Sequence, residues 1–289
     1  MSNHLPARRR SVAGVLLLLL MLVAVVLAAM LATRSGREAA QSIGSDLKWV
    51  ERQMRLKLGW PLRGTPDLAR FEERLREKNL AKGAPVFMRI FKWEHELELW
   101  MKKGDRFVLF TTYPICRWSG RLGPKLREGD HQSPEGFYTV ARGQLNPNSK
   151  WHRSFNLGFP NGFDRIHGRS GSFLMVHGGC SSIGCYAMTD PVIDEIWSLI
   201  TAAFDAGQPL FHVHVYPFRM SGWKLTLYGN GRWDGFWRDL KRGSDLFERS
   251  HMPPAISVCR RRYAFEKAPA GKAGMTALRS GCPAALTLN

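Results

Sequence analysis

The chain begins with a long apolar segment. Residues Val12–Ala32 carry no charge and follow three consecutive arginines at positions 8–10. A membrane-spanning helix needs about 20 apolar residues, whereas the apolar core of a secretory signal has about 7–15. The length therefore favours an uncleaved membrane anchor over a cleaved signal peptide, and the arginines favour a cytoplasmic N-terminus. Both alternatives place the folded part of the chain in the cell envelope.

The next part of the chain, residues 33–83, combines a short linker with two amphipathic segments. In the first segment apolar residues recur at helical spacing, at Ile43, Leu47, Val50, Met54 and Leu58. The second segment is predicted to form a helix from Leu68 to Leu80, after a turn at Pro66 and Asp67. We expect both apolar faces to pack on the folded domain.

From residue 84 onward the hydrophobic pattern changes from helical to alternating. Apolar and polar residues alternate through 94–101, pause at the turn KKGD and resume at Phe107, which predicts a β-hairpin. Short strands are also predicted at GFYTV (136–140), FLMVH (173–177) and PLFHVHVYPF (209–218). In the last strand His212 and His214 share one face, and we expect both to find partners within the fold.

Two helices are predicted among these strands. Asp190 is expected to cap the helix VIDEIWSLITAAF, with Pro191 in its first turn and Gly207 at its end. Another short helix is predicted around GFWRDLKRGSDLFE. From Pro253 onward the chain is rich in Pro, Ala and Gly, and we expect it to be poorly ordered. The predicted fold class is mainly β with flanking helices (α+β), with residues 84–250 as the folded domain and 251–289 as a tail.

The charge and the cysteine content indicate the cellular compartment in which the protein works. The chain has 42 Lys+Arg against 24 Asp+Glu, a net charge of +18. Such an excess indicates an anionic environment, and in the envelope this favours lipid headgroups and wall polymers over nucleic acid. Five cysteines, Cys116, Cys180, Cys185, Cys259 and Cys282, would face an oxidising compartment. Because five is odd, at least one thiol is not paired within the chain.

The segment VHGGCSSIGCYAMTD, residues 176–190, carries the candidate chemistry. His177 closes a predicted strand, and the glycines at positions 178, 179 and 184 allow the chain to return tightly beside the imidazole. A nearby imidazole activates a thiol by accepting its proton. The backbone at Gly184 and Cys185 could stabilise a developing oxyanion. These features favour a cysteine nucleophile, with Cys180 and Cys185 both eligible.

Two other interpretations of the segment compete with this one. His177, Cys180 and Cys185 could bind zinc together with His212 or His214, although the cysteine spacing is weak for such a site. Alternatively, Cys180 and Cys185 could form a structural disulfide. A phosphate-binding loop is excluded, because no G-K-[ST] sequence follows the glycines.

HGGCSSIGCYAMTD also resembles the active-site signature of the L,D-transpeptidase (YkuD-type) catalytic domain family. It is most similar to the YafK-like branch, whose pattern is H-G-x-C-x-S-x-G-C-x-A-M-T. The resemblance extends to TYPICRWSGRLGPKLREGDHQSPEGFYTV, SFNLGFPNGFDRIHGRSGSFLMVHG and FHVHVYPFRM, and covers roughly residues 85–219. It implies a YkuD-like β-sandwich or barrel with no cofactor and no metal.

The resemblance also implies roles for individual residues. Cys185 would be the nucleophile, His177 the general base, Gly184 with Cys185 the oxyanion hole, and Ser182 an orienting group for the histidine. Apart from the resemblance, His167 and Arg169 lie near the site in sequence and are expected either to contact substrate carboxylates or to belong to a solvated loop, and Tyr186 is also expected to contact substrate. Ala187 stands where the broader family has an arginine associated with substrate, and Ile183 precedes Gly184; both features match the YafK-like branch. Cys180 would be inert, paired with Cys116, or a reversible partner of Cys185.

The activity implied by the resemblance is acyl transfer on peptidoglycan. Cys185 would attack the carbonyl at the L-centre of diaminopimelate in a stem peptide. An amine would then resolve the acyl-enzyme to give a cross-link or an attached protein. Water would instead make the protein an amidase that releases Braun-type lipoprotein from the wall. The expectation from a different class is a non-catalytic, wall-binding protein of the same fold.

Overall fold

A computed structural model describes residues 12–33, 36, 47, 49–229, 231–269 and 271–283. The chain divides into two compact units, one ending at Gln53 and one beginning at Met54. In the first unit, Val12–Ala32 form helix α1, whose described side chains are exposed. Within the described residues, no helix combines the length and the apolar character needed to cross a membrane. The membrane anchor therefore stays a prediction.

The helical segment predicted between Ile43 and Leu58 is only partly described. Residues 49–57 are helical, whereas Ile43 lies outside the described residues. The second predicted helix is confirmed. It starts as a short 3-10 turn at Leu68–Arg70, where the Asp67 carboxylate accepts a hydrogen bond from the Ala69 N–H, and continues as an α-helix. Its last predicted residues, up to Leu80, lie beyond the helix end.

The second unit is built from three sheets and short helices. Its strands are β1 (Val86–Phe91), β2 (Glu96–Lys103), β3 (Arg106–Pro114), β4 (Gly136–Ala141), β5 (Leu145–Asn146), β6 (Ser154–Asn156), β7 (Met175–His177), β8 (Tyr186–Ala187), β9 (Leu210–Tyr216), β10 (Ala255–Cys259), β11 (Arg262–Glu266) and β12 (Arg279–Ser280). Its α-helices after residue 70 are α2 (Phe71–Glu77), α3 (Gly162–Ile166), α4 (Asp190–Asp205), α5 (Gly222–Tyr228) and α6 (Asp234–Ser250). The α+β fold class is confirmed.

The largest sheet has five strands in the order β3-β2-β1-β9-β4. Strands β1, β2 and β3 follow one another antiparallel, which confirms the predicted hairpin, and β1 is parallel to β9. A second sheet has the order β5-β6-β7-β8, and its β7 and β8 run parallel. The predicted strand at 173–177 is therefore shorter than expected, because only Met175–His177 pair.

The five-stranded sheet is buried on both faces. On one face Val213 and Ile90 belong to a core that also contains Val176 of β7 and Ile196 of α4. The opposite face belongs to a second core, formed by Phe91, Phe137, Leu240, Ile256, Val258 and Tyr263 with their neighbours. The four-stranded sheet and α4 therefore lie on one side of the large sheet, and α6 with the last strands lies on the other.

The prediction of a poorly ordered tail is wrong for residues 255–283. Strands β10, β11 and β12 form a three-stranded sheet, and a disulfide joins Cys259 to Cys282 with a Cα–Cα distance of 4.5 Å. Ile256 and Tyr263 are 2% and 1% exposed. Averaged over the whole tail, the composition does not reveal its two short apolar strands. Burial of these strands against α6 provides the free energy that orders them. Helix α6 is also longer than predicted, with 17 residues.

Candidate active site

His177 and the segment around Cys185 lie next to each other in the four-stranded sheet. Strands β7 and β8 are parallel, and Val176 pairs with Tyr186 and His177 with Ala187. Cys185 directly precedes β8. The Met175 N–H donates a hydrogen bond to Cys185 Sγ at 3.4 Å, so the thiol lies beside β7. The sheet register thus places the segment that follows Cys185 alongside the strand that ends at His177.

The imidazole of His177 has a defined tautomer. Its Nδ1 lies 2.5 Å from the Gly178 carbonyl oxygen, and since a carbonyl only accepts, Nδ1 carries the proton. Nε2 is then the basic nitrogen. Burial lowers the pKa of His177 below its usual 6.5, so the ring is neutral at neutral pH. An exposed aromatic ring, Trp151, lies 6.1 Å from the imidazole between ring centres.

Cys185 is the one free thiol among the described cysteines, and its side chain is half-buried. Burial raises the pKa of this thiol above its usual 9.0, while the Met175 N–H and the charge of Lys125 act in the opposite direction. The thiol is therefore protonated at neutral pH. Its Sγ donates to the Phe173 carbonyl oxygen at 3.6 Å, and within the described residues no hydrogen bond joins it to His177.

Two hydroxyl groups hold the backbone of Cys185. The carbonyl oxygen of Cys185 accepts hydrogen bonds from Ser182 Oγ at 2.7 Å and from Ser133 Oγ at 3.0 Å. The Gly184 N–H donates in turn to Ser182 Oγ at 3.1 Å. These contacts correct two expectations. Ser182 orients the cysteine rather than the histidine, and the Gly184 N–H is used within the loop, which leaves the Cys185 amide as the candidate oxyanion donor.

The loop between His177 and Cys185 is fastened at two points. A disulfide joins Cys180 to Cys116, at the end of β3, with a Cα–Cα distance of 5.3 Å. The Gly179 N–H donates to Asp190 Oδ1 at 2.7 Å, so Asp190 ties this loop instead of capping α4, which it begins. The pairing with Cys116 excludes the Cys180–Cys185 disulfide. It also removes Cys180 from the proposed zinc ligands, and the described residues contain no cluster suited to a metal ion.

A buried ion pair that the sequence did not reveal supports the loop carrying Ser133. Lys92 is fully enclosed, and its Nζ donates to the Ser133 carbonyl oxygen at 3.0 Å and to Glu135 Oε1 at 3.1 Å. Trp237 Nε1 donates to the other Glu135 oxygen at 2.8 Å. The sequence offers no signal for this burial, because a lysine at a strand end is ordinarily exposed.

The structure corrects the expected substrate contacts. Arg169 is 7% exposed and forms an ion pair with Asp164 at 2.8 Å. The Tyr186 side chain is completely buried, and its hydroxyl donates to the Pro134 carbonyl oxygen at 2.7 Å. His167 is exposed, and its Nε2 lies 2.8 Å from the Arg261 carbonyl oxygen. All three serve the fold in these contacts.

Three further residues lie on segments close to Cys185 in sequence or in backbone pairing. Phe173 and Ile183 are 75% and 77% exposed on the segments that flank Cys185. Arg117 is half-buried and forms an antiparallel backbone bridge with Ala187, where its N–H and carbonyl bond to that residue. No signal in the sequence indicates Arg117 beside Ala187, because the bridge joins two segments that are distant in the chain.

The two histidines of β9 are confirmed as residues with partners inside the fold. His212 Nε2 lies 2.7 Å from the Thr276 carbonyl oxygen, and His214 Nδ1 lies 3.3 Å from the Tyr216 hydroxyl. Both rings are buried, and burial lowers the pKa of His212 to about 4. They lie on the sheet face that carries the second core, opposite the face nearer the four-stranded sheet.

Comparison with known proteins places this geometry in a family. The model of the L,D-transpeptidase catalytic domain (YkuD) matches residues 94–215. The Escherichia coli (strain K12) protein YafK, provisionally named an L,D-transpeptidase, is 47% identical over 190 residues, which are 66% of this chain and 77% of that protein.

Two solved structures are more distant. The helical cell shape determining protein Pgp2 of Campylobacter jejuni is 16% identical with a TM-score of 0.37, covering 66% of this chain and 80% of that one. Bd1075 of Bdellovibrio bacteriovorus is 15% identical with a TM-score of 0.34, covering 60% and 76%. These scores are too low to support a conclusion.

Proposed function

Since this chain belongs to the L,D-transpeptidase family, we propose that it is a cysteine acyltransferase acting on the stem peptides of peptidoglycan. The observation that supports the proposal is the pairing of β7, which ends at His177, with β8, which directly follows the free thiol of Cys185. The acyl donor is the carbonyl at the L-centre of diaminopimelate in a stem peptide.

The acylation step follows from the protonation states of the two groups. As Sγ attacks the substrate carbonyl carbon, Nε2 of His177 accepts the thiol proton, so a sulfur–carbon bond forms and the oxygen becomes negative. The Cys185 amide donates to that oxygen. Collapse of the intermediate breaks the carbon–nitrogen bond of the amide, and His177 returns the proton to the leaving amine. The product is a thioester on Cys185.

The second step depends on the acceptor. An amine that attacks the thioester carbonyl forms a new amide bond, either as a cross-link or as an attached protein, while the sulfur–carbon bond breaks. His177 accepts the proton that the amine loses and returns it to Sγ, which restores the thiol. Water gives a free carboxylate instead, and the enzyme then acts as an amidase that releases Braun-type lipoprotein.

Arg117 is the proposed recognition residue for a substrate carboxylate. The broader family has an arginine where this chain has Ala187, and Arg117 is the backbone partner of Ala187 across the bridge. Residues directly opposite one another in an antiparallel bridge point to the same side of the sheet. A guanidinium reaching that side from residue 117 can take the place of one from residue 187.

The envelope is the proposed location. Two disulfides, Cys116–Cys180 and Cys259–Cys282, are typical of an oxidising compartment. The net charge of +18 would concentrate the protein on an anionic wall or membrane surface. In this proposal the apolar segment at residues 12–32 anchors the protein to the membrane or directs its export.

The proposal is tested by incubating purified protein with cross-linkable muropeptides and with lipoprotein-linked muropeptides, followed by mass spectrometry. The wild type is expected to convert at least one substrate, and Cys185→Ala neither. A dimer product identifies an amine acceptor, and a free carboxylate identifies water. Identical products from wild type and Cys185→Ala would refute the enzyme and favour a non-catalytic wall-binding protein.

A further inference from the structure

A basic groove lies between α6 and the β10–β11 hairpin, outside residues 94–215 that match the family's catalytic domain. Its volume is ≈ 570 Å³. Sites for small ligands commonly measure about 300–1,000 Å³. Four arginines line the groove, together with Asp245 and the apolar side chains of Leu246 and Phe265; the arginines are Arg242, Arg249, Arg260 and Arg262. The groove is thus large enough for a ligand and has four arginines around it.

The charge of the groove favours an anion. Its single lining carboxylate, Asp245, is already paired with Lys241 at 2.7 Å. Arg249 and Arg260 are exposed, and the described residues offer neither of them an ion-pair partner. Guanidinium groups bind phosphate and carboxylate through parallel hydrogen bonds, and phosphate offers more acceptor oxygens.

Two of the arginines are oriented in advance by one buried carboxylate. Asp239 is 2% exposed, and it accepts hydrogen bonds from Arg242 at 2.9 Å and from Arg262 Nε at 3.1 Å. A second bond from Arg262 Nη2 measures 2.5 Å. One carboxylate shared by two guanidinium groups leaves a net positive charge in a fixed geometry. Side chains ordered before binding lose less entropy when a ligand arrives.

The hairpin turn carries arginine in an unfavourable conformation. Arg260 and Arg261 connect Cys259 to its cross-strand partner Arg262, and both have left-handed backbones, with φ of 47° and 63°. Two-residue turns of this kind favour Asn-Gly, because bulky residues are strained at positive φ. Strain of this kind often marks a functional position. Here it places the Arg260 side chain on the groove.

We propose that this groove binds a phosphate-bearing ligand. Arg249 and Arg260 supply positive charges that are not used in ion pairs among the described residues, and Asp239 orients Arg262. Leu246 and Phe265 are partly exposed and offer an apolar surface to the rest of the ligand. The site is independent of the proposed acyl transfer, because none of its residues lies near the thiol in the contacts described above.

The first test is calorimetric titration of the full chain in neutral detergent with pyrophosphate. Arg260→Asn should weaken binding about tenfold, the loss expected for one hydrogen bond between charged groups. Arg261→Gly is the matched control. It removes the same charge from the same turn, but its side chain does not line the groove, and it should leave binding within about threefold of wild type.

Thermal unfolding separates lost binding from lost structure. Both substitutions place a residue suited to positive φ in the turn, so both variants should melt at or above the wild-type temperature. Weaker binding by Arg260→Asn with an unchanged or higher melting temperature supports the site. No binding by the wild type, or equal weakening by the two variants, would overturn it.

A second experiment distinguishes a soluble phosphate ligand from a lipid headgroup. Glycerol 3-phosphate is compared with phosphatidate in bicelles of neutral lipid, and in each case the quantity measured is the difference between wild type and Arg260→Asn. A difference with phosphatidate alone assigns the site to a lipid headgroup, and a difference with both assigns it to the phosphate group itself. No difference with either ligand counts against the proposal.

Discussion

Ser133 donates its hydroxyl hydrogen to the carbonyl oxygen of Cys185 at 3.0 Å, across 52 positions of the chain. Ser182 donates to the same oxygen from the other side, at 2.7 Å. The nucleophile is thus fixed at its backbone by hydroxyls from two different loops, while its Sγ keeps only weak contacts with Met175 and Phe173. This arrangement holds the residue in place and leaves the sulfur able to turn towards a substrate.

Removing the Ser182 hydroxyl should slow catalysis. Ser182→Ala loses the bond to the Cys185 carbonyl and leaves the buried Gly184 N–H without its acceptor. We expect kcat to fall about tenfold or more, and stability to fall by about 1–3 kcal/mol. Steady-state assays on muropeptides and urea unfolding measure the two effects.

Ser119→Ala is the control for this prediction. Its hydroxyl lies 3.4 Å from Ser182 Oγ, so its loss should change kcat much less. Wild-type kcat in Ser182→Ala would contradict the role assigned to the hydroxyl.

The pH dependence of Cys185 alkylation should be that of a thiol that is protonated at neutral pH, rather than that of a thiolate–imidazolium pair. Because burial raises the pKa of Cys185 above 9.0, the rate of its alkylation by iodoacetamide should climb with pH beyond neutrality. Because burial lowers the pKa of His177 below 6.5, the base is lost only in acid. The value of kcat/KM should therefore rise with pH below 6.5 and level off near neutral pH.

Alkylation is followed by peptide mass spectrometry between pH 5 and 10, with His177→Gln as the control. If alkylation is already maximal at pH 6 and falls in His177→Gln, the two groups form an ion pair at rest, contrary to this account.

The Lys92–Glu135 pair should matter for stability more than any surface ion pair. Lys92→Met leaves the buried Glu135 carboxylate without its cation, and we expect a loss of about 3–5 kcal/mol. Glu135→Gln in the Lys92→Met background should recover part of this loss, since it removes the unpaired charge. Urea unfolding of the single and double variants measures the coupling, and additive losses would show that the pair is not coupled.

Local periodicity accounts for the parts of the fold that were predicted correctly. The β2–β3 hairpin, α4 and β9 each carry a regular apolar pattern over a whole element, and short turns with glycine or proline bound them. The likeness of HGGCSSIGCYAMTD to a family signature supplied the candidate pair His177 and Cys185. Both kinds of signal are contained in a single short stretch of sequence.

The remaining features depend on contacts between distant residues. The three-stranded sheet at the end of the chain is stabilised by burial against α6 and by a disulfide closed over 23 positions. The Tyr186 hydroxyl and the Arg169 guanidinium look available in the sequence, but their acceptors, Pro134 and Asp164, use them inside the fold. No pattern within either segment reveals such partners.

Arg117 should contribute to substrate binding more than to chemistry. Arg117→Ala is expected to raise KM about tenfold with a smaller change in kcat, because it removes one charge-assisted contact with a substrate carboxylate. Arg121→Ala, a variant of an exposed arginine four positions further along the same loop, serves as the control. An unchanged KM in Arg117→Ala would refute the proposal that Arg117 performs the role of the family arginine.

Trapping the acyl-enzyme tests the central claim most directly. Purified protein is mixed with a tetrapeptide muropeptide, quenched in acid within seconds, digested and mapped by mass spectrometry. The account predicts an acyl adduct on Cys185 in the wild type and no adduct in Cys185→Ala. Conversion of the muropeptide by Cys185→Ala at the wild-type rate, or an adduct on another residue, would contradict it.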